Sequence, residues 1–159
     1  MMVDRVHRSN TPREADTMAN AKDTMAKAFN TFHRSLFDIT KGRIGGKAFG
    51  MPVVKLTTKG AKSGVERTVM LTSPVQQGEG VVLVASYGGD DRHPAWYHNL
   101  KANPEVTVVM SGSRRTLTAR TATAEEKAEL WPKVTAAYKG YAGYQTKTDR
   151  DIPLVILEA

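Results

Sequence analysis

Apolar positions along this chain follow two periods. Between Asn20 and Lys41, Met25, Phe29, Phe32 and Leu36 recur every three or four residues, with Lys22, Lys27 and Arg34 between them. That spacing predicts an amphipathic helix over about residues 20–41. Ahead of it, residues 1–18 are polar and mixed in charge, and Asn10, Thr11 and Pro12 break any pattern, so a flexible arm is expected there. Gly42, Gly45, Gly46 and Gly50 then end helical structure. Beyond them come short runs rich in Val, Leu, Ile and Thr, separated by turn residues: Pro52–Thr58, Arg67–Pro74, Gly80–Ser86, Glu105–Met110, Arg114–Thr121 and Pro153–Glu158. A flat sheet of about six such strands would leave long edges exposed, so a closed or nearly closed antiparallel barrel is expected. Two helical stretches interrupt the strands. His93–Ala102 reads as a short helix stopped by Asn103 and Pro104. Thr123 with Glu126 forms a capping box that starts another at Ala124, with Leu130, Val134 and Tyr138 on one face. Pro132 removes an amide donor from that second helix and should kink it or divide it in two.

Composition narrows the picture. At 159 residues the chain holds one domain, taken as residues 19–159 behind the arm. Having no cysteine, it is without disulfides, thiolate metal sites, iron–sulfur clusters and cysteine nucleophiles. His93 and His98 have no carboxylate at ligand spacing, so no metal is expected. No apolar run approaches the roughly 18–20 residues that span a bilayer, and no leader pattern is visible, which places the expected location in the cytoplasm. Lys and Arg outnumber Asp and Glu 23 to 16, a formal charge of +7 that favours phosphates, polyglutamates, nucleic acid or acidic lipid. The helix over 20–41 fits a cap on the core, and its basic flanks with Phe and Leu also fit a flap over a site or a peripheral membrane contact.

Three groups of residues could carry chemistry. The loop Lys59-Gly60-Ala61-Lys62-Ser63-Gly64, flanked by Lys55 and Arg67, offers amides, a hydroxyl and charge to an anion. A solvated basic hairpin would have the same composition. Its spacing is not that of a nucleotide-binding P-loop. The second group is Val84-Ala85-Ser86-Tyr87-Gly88-Gly89 followed by His93-Pro94-Ala95-Trp96-Tyr97-His98-Asn99-Leu100, a strand end and helix start that form a ledge for a planar ring. Trp96 either covers that ring or packs in the core. The third is Tyr138, Tyr141 and Tyr144, whose helical spacing would stack three phenols along nearly one face, next to Gly140 and Gly143.

At these motifs the sequence resembles the deazaflavin-dependent nitroreductase family, whose members use coenzyme F420. The matching residues run from Leu56 to Gly64, Ala85 to Gly89 and His93 to Pro104, then through Thr118-Ala119-Arg120, Trp131-Pro132, the three tyrosines and Thr148-Asp149-Arg150-Asp151-Ile152-Pro153. The likeness covers roughly residues 50–159. It implies an α+β split β-barrel of the FMN-binding kind, with a deazaflavin in a groove and its phosphate and polyglutamate tail on the basic loop. Carried over by motif, Ala61, Lys62, Ser63 and Arg67 would hold the phosphate end. Thr68, Val69, Met70, Leu71 and Thr72, then Val84, Ala85, Ser86 and Tyr87, then Ala95, Trp96, Tyr97, His98 and Asn99 would line the ring. Tyr141 would meet both ring and substrate, with Ser86, Tyr138 and Tyr144 around the acceptor. Tyr87 stands where the best-known members have lysine, and Thr72 where they have an aromatic, so acceptor choice is expected to differ more than the cofactor.

The activity this implies is F420H2-dependent hydride transfer to a small electron acceptor: a quinone, an enone or unsaturated lactone, or a nitroaromatic. Tyr138 or Ser86 would donate a hydrogen bond to it. A monomer or weak dimer is expected. The rival enzyme reading is an FMN-dependent split-barrel oxidase or reductase. A basic module binding nucleic acid or lipid is the rival of another class, and scattered rather than striped positive residues argue against it.

Overall fold

Nine residues, Met51–Lys59, form the strand on which the sheet is built, and their β-branched and leucine side chains alternate toward a buried face. A computed structural model describes residues 47–159. The arm over 1–18 and the helix over about 20–41 lie outside the described residues. Eight strands are present among those described: β1 (Lys47–Ala48), β2 (Met51–Lys59), β3 (Glu66–Thr72), β4 (Val75–Gln77), β5 (Gly80–Val84), β6 (Glu105–Met110), β7 (Ser113–Thr121) and β8 (Leu154–Glu158). Hydrogen bonding runs β1-β2-β6-β7-β8-β5-β4, with β3 joined to β2 alone, and each pairing is antiparallel. The path does not close: β3 and β4 are not paired with each other. The sheet is therefore a curled half-barrel rather than the closed form allowed above, and the split-barrel α+β class holds.

All six predicted strands are present. The short pieces β1 and β4 were not legible, and the second predicted strand ends at Thr72 rather than Pro74. Its corner is made by Ser73, fully buried, whose hydroxyl hydrogen-bonds to the carbonyls of Val75 and Val82, each at 2.9 Å. A buried hydroxyl needs such acceptors, and here they turn the chain from β3 into β4.

β5 and β8 are covered on both faces. Val81, Leu83, Val155 and Leu157 face a core containing Trp96, Tyr97 and Leu100, whereas Val82, Val84, Leu154 and Ile156 face Leu130, Val134 and Tyr141. Each fully buried Leu or Val side chain contributes about 1.5–3 kcal/mol. The first core is covered by α1 (Ala95–Ala102), which begins two residues later than expected because Pro94 is its extended cap. The second is covered by α2 (Ala124–Ala137), with its capping box in place, and α3 (Gly140–Gln145). α2 runs unbroken through Pro132, so there are not two helices meeting at that proline. The three tyrosines, in turn, do not share a helix: Tyr138 is the extended cap that ends α2 (φ −152°), and Tyr141 and Tyr144 belong to α3.

Candidate active site

A cleft of about 1100 Å³ opens between β3, the end of β5, the start of α1 and the tyrosine segment. β3 uses one edge to bind β2, and residues Arg67–Thr72 of it border the cleft. At one end lies the loop after β2. It is tied to itself by Gly60 N–H to the Val65 carbonyl (2.8 Å), Gly64 N–H to the Gly60 carbonyl (2.8 Å) and Val65 N–H to Ser63 Oγ (3.2 Å). Asn99 of α1 braces it from behind, its Oδ1 accepting from Ala61 N–H at 3.0 Å and its Nδ2 donating to the buried Thr58 Oγ1 at 3.2 Å. Lys62 and Ser63 are thus exposed on a loop already held in shape, and Arg67 follows, also exposed, near the start of β3.

The middle of the cleft is apolar, formed by Val69, Leu71, Val84 and Trp96. Trp96 packs in the first core, 8% exposed, and also lines the cleft.

At the far end the phenols gather although they are on different elements. Their ring centroids are 5.3 Å apart for Tyr138 and Tyr141, 6.1 Å for Tyr141 and Tyr144, and 6.4 Å for Tyr138 and Tyr144. Phe49 leans on Tyr138 at 5.0 Å and is 72% exposed. A hydrogen bond with Tyr138, helped by burial and the neighbouring phenols, pushes the Tyr144 hydroxyl up to about 12. Burial also raises Tyr141, against the opposing effect of its hydrogen bond to Thr72 Oγ1 at 3.0 Å. Both phenols stay protonated at neutral pH and can only donate or accept hydrogen bonds there. Thr72, smaller than an aromatic, leaves room and orients the Tyr141 hydroxyl.

Of the residues expected to hold the coenzyme or meet the acceptor, the cleft brings together all but two. Ala85 is wholly buried in the first core, and Tyr97 packs there with its hydroxyl 2.9 Å from Thr121 Oγ1, away from the cleft. Period-two alternation in β5 assigns Ala85 to the face opposite Val84 and could have separated them. Sequence reasoning missed Phe49, Met51 and Val53 on the lining, whereas Thr58, Gly60, Gly88 and Pro94 stood within the motifs without being named among the coenzyme or acceptor residues. Phe49 carried no signal, because its place depends on a left-handed turn (φ 52°) between β1 and β2.

His93 lies outside the cleft and matters for stability. Its Nδ1 is 3.2 Å from Arg150 Nη1, and since a guanidinium only donates, the ring proton sits on Nε2. Burial, then the charges of Arg150, His98 and Lys101, hold its pKa below the ordinary 6.5. The fold therefore favours neutral His93. Stability from this source is complete above pH about 6.5 and shrinks as the pH falls from there toward the lowered folded value. Urea midpoints measured between pH 7.5 and about 5.5 are expected to fall more steeply for the wild type than for His93→Gln; equal slopes would reject the assignment.

Comparison with known proteins gives the site its family. The F420H(2)-dependent quinone reductase family matches residues 31–159. The chain belongs to that family. An F420H(2)-dependent quinone reductase of Mycobacterium tuberculosis strain H37Rv is 40% identical over 129 residues, 79% of this chain and 86% of its own length. A solved F420-H2 dependent reductase is 47% identical with a TM-score of 0.62, covering 67% of this chain and 94% of that one. A further solved structure, described as a domain-swapped dimer, has the same identity and TM-score, covering 67% of this chain and 80% of that one. As a member of the F420H2-dependent quinone reductases the protein is an F420H2-dependent oxidoreductase, and its cofactor is coenzyme F420. The residues present fit that coenzyme: cationic and hydroxyl donors on an ordered loop suit its phosphate and glutamates, and an apolar slot between β3 and α1 suits a planar ring. Among the described residues, no group of His, Asp and Glu could hold a metal ion, and no helix is long and apolar enough to cross a membrane.

Proposed function

We propose that the protein reduces quinones, and with them related electron-poor acceptors such as enones, unsaturated lactones and nitroaromatics, at the tyrosine end of the cleft. The observation that carries this reading is the polarity of the cleft: a basic loop at one end, an apolar slot, and three converging phenols at the other. Bound along that axis, F420H2 supplies a hydride from its deazaflavin carbon.

Each part of the chain has a task in this reading. Ala61, Lys62, Ser63 and Arg67 hold the anionic tail. Thr68 to Thr72, Val84, Tyr87, Ala95, Trp96, His98 and Asn99 shape the ring slot, with Asn99 acting mainly by bracing the loop. Tyr141 borders both ring and acceptor at their junction. Reduction of a quinone to a hydroquinone adds a hydride and a proton, and the negative charge develops on an acceptor oxygen. Tyr138 Oη and Ser86 Oγ are the donors for that oxygen. Ser86 is 8% exposed, and among the described residues no hydrogen bond engages its hydroxyl, which leaves it to the acceptor. A preorganised donor in a water-poor site favours the charge far more than bulk water does. The slot also holds the reacting atoms near the roughly 3–3.5 Å separation that reaction needs.

The experiment is a titration of purified protein with oxidised F420 and with FMN, followed by anaerobic mixing of the F420H2-loaded protein with menadione, an enone and a nitroaromatic. Tight F420 binding with fast menadione reduction is expected. Preference for FMN, or F420 binding with no reaction toward any acceptor, would overturn the reading.

A further inference from the structure

The Thr148–Pro153 segment has no task in the cleft, yet Arg150 within it makes more polar contacts than any cleft residue described above. Its Nε donates to the Asp90 carbonyl at 2.8 Å, its Nη2 to the carbonyls of Ser86 (2.8 Å) and Ala85 (3.1 Å), and its Nη1 to His93 Nδ1 at 3.2 Å. These carbonyls bracket Tyr87-Gly88-Gly89, where three successive residues have positive φ of 47°, 66° and 84°. A left-handed tyrosine is unfavourable by itself and persists only where surrounding contacts determine it.

The same arginine is fixed to the opposite wall. Gln145, the last residue of α3, donates through Nε2 to the Arg150 carbonyl (2.8 Å) and accepts through Oε1 from Ile152 N–H (3.0 Å). Thr148 Oγ1 donates to Asp91 at 2.8 Å and accepts from Arg150 N–H at 3.3 Å. The turn also sits directly against α3: a Cβ added to Gly89 would lie 2.7 Å from the Tyr144 carbonyl oxygen and 2.9 Å from Lys147 Cβ. Only a glycine permits that approach.

We propose that Arg150 is the positioning residue of the acceptor pocket, a guanidinium latch that sets the Ser86–Tyr87 wall relative to the Tyr141–Tyr144 wall. It touches no residue of the basic loop, and of the ring slot it borders only Tyr87, through the neighbouring backbone carbonyls, so its main effect is on acceptor geometry and coenzyme affinity changes little. Planar, divergent donors are what the site requires. Three carbonyls and an imidazole nitrogen lie around one group, and a lysine ammonium cannot reach them all in that arrangement. The proposal rests on the reading above that the acceptor meets these two walls, but its geometric content can be tested apart from it.

Protein labelled with 3-fluorotyrosine, with Tyr87 and Tyr144 assigned by Tyr→Phe variants, gives fluorine NMR signals from each wall. In Arg150→Lys and Arg150→Ala both signals are expected to move, and added guanidinium is expected to return them toward wild-type positions in Arg150→Ala. With F420H2 and menadione, Arg150→Lys is expected to keep the F420 Kd within about threefold while kcat/KM for menadione falls at least tenfold. Should Arg150→Ala fail to fold, Arg150→Lys carries both measurements. Unmoved tyrosine signals in Arg150→Lys would overturn the latch. So would a loss of F420 affinity equal to the loss of kcat/KM. Wild-type protein that binds F420 but reduces no acceptor would defeat the functional reading instead, leaving the fluorine signals to decide the latch.

Discussion

Replacing Lys62 and Arg67 together with alanine is expected to weaken F420 binding about a hundredfold, to flatten its dependence on salt, and to leave the rate of menadione reduction at saturating coenzyme nearly unchanged. A charge-assisted hydrogen bond contributes roughly 1.5–3 kcal/mol. Both side chains are exposed, so screening argues for the lower figure, and two contacts at about 1.5 kcal/mol give about a hundredfold. The loop's own hydrogen bonds and the Asn99 brace mean that little ordering cost opposes binding, so the loss should not be masked by rearrangement. Lys133→Ala is the control, since Lys133 is also exposed but stands on α2 and lines no part of the cleft. Isothermal titration at two ionic strengths decides. Equal affinity in the double variant and in the control would remove the anion cradle from the account.

How far the sequence disclosed this site depends on which forces place each residue. The strands were legible because alternation and β-branched runs act locally, and Thr123 with Glu126 announces a helix start for the same reason. The basic loop was legible as a composition. The bonds from Asn99 to Ala61 and Thr58, which span 38 and 41 residues, were not. The tyrosines show the limit most clearly. Their spacing suggested one helix, but Tyr138 adopts an extended conformation where α2 ends, and the rings still converge because the chain reverses at Lys139 and Gly140. Similar proximity was reached by a different backbone. Arg150 was legible only as part of a matching run, and its task was not, since three of its side chain's four partners are carbonyls, which no side-chain code reports.

Tyr138→Phe and Gly140→Ala are expected to slow quinone reduction by a similar factor for different reasons, and the pair isolates the phenol's position from its chemistry. Loss of one preorganised donor costs about 10²–10³ in a fully enclosed site. Tyr138 stands at the cleft mouth against the exposed Phe49, with Ser86 on the same lining, so a slowing of about ten- to a hundredfold is expected for Tyr138→Phe. In Gly140→Ala the hydroxyl remains, but the new Cβ would lie 2.2 Å from Tyr138 Cε1 and 2.4 Å from Cζ, so the ring must swing away. Because only the far end of one side chain has to move, the melting temperature should change by no more than a few degrees. Single-turnover oxidation of bound F420H2 by menadione gives the rates, and titration with oxidised F420 should give affinities within about threefold of the wild type, since the basic loop is untouched. Rates equal to the wild type in both variants would transfer the donor role to Ser86 or to solvent. A slow Gly140→Ala beside a normal Tyr138→Phe would mean that the ring's bulk, which shapes the acceptor pocket, matters and its hydroxyl does not.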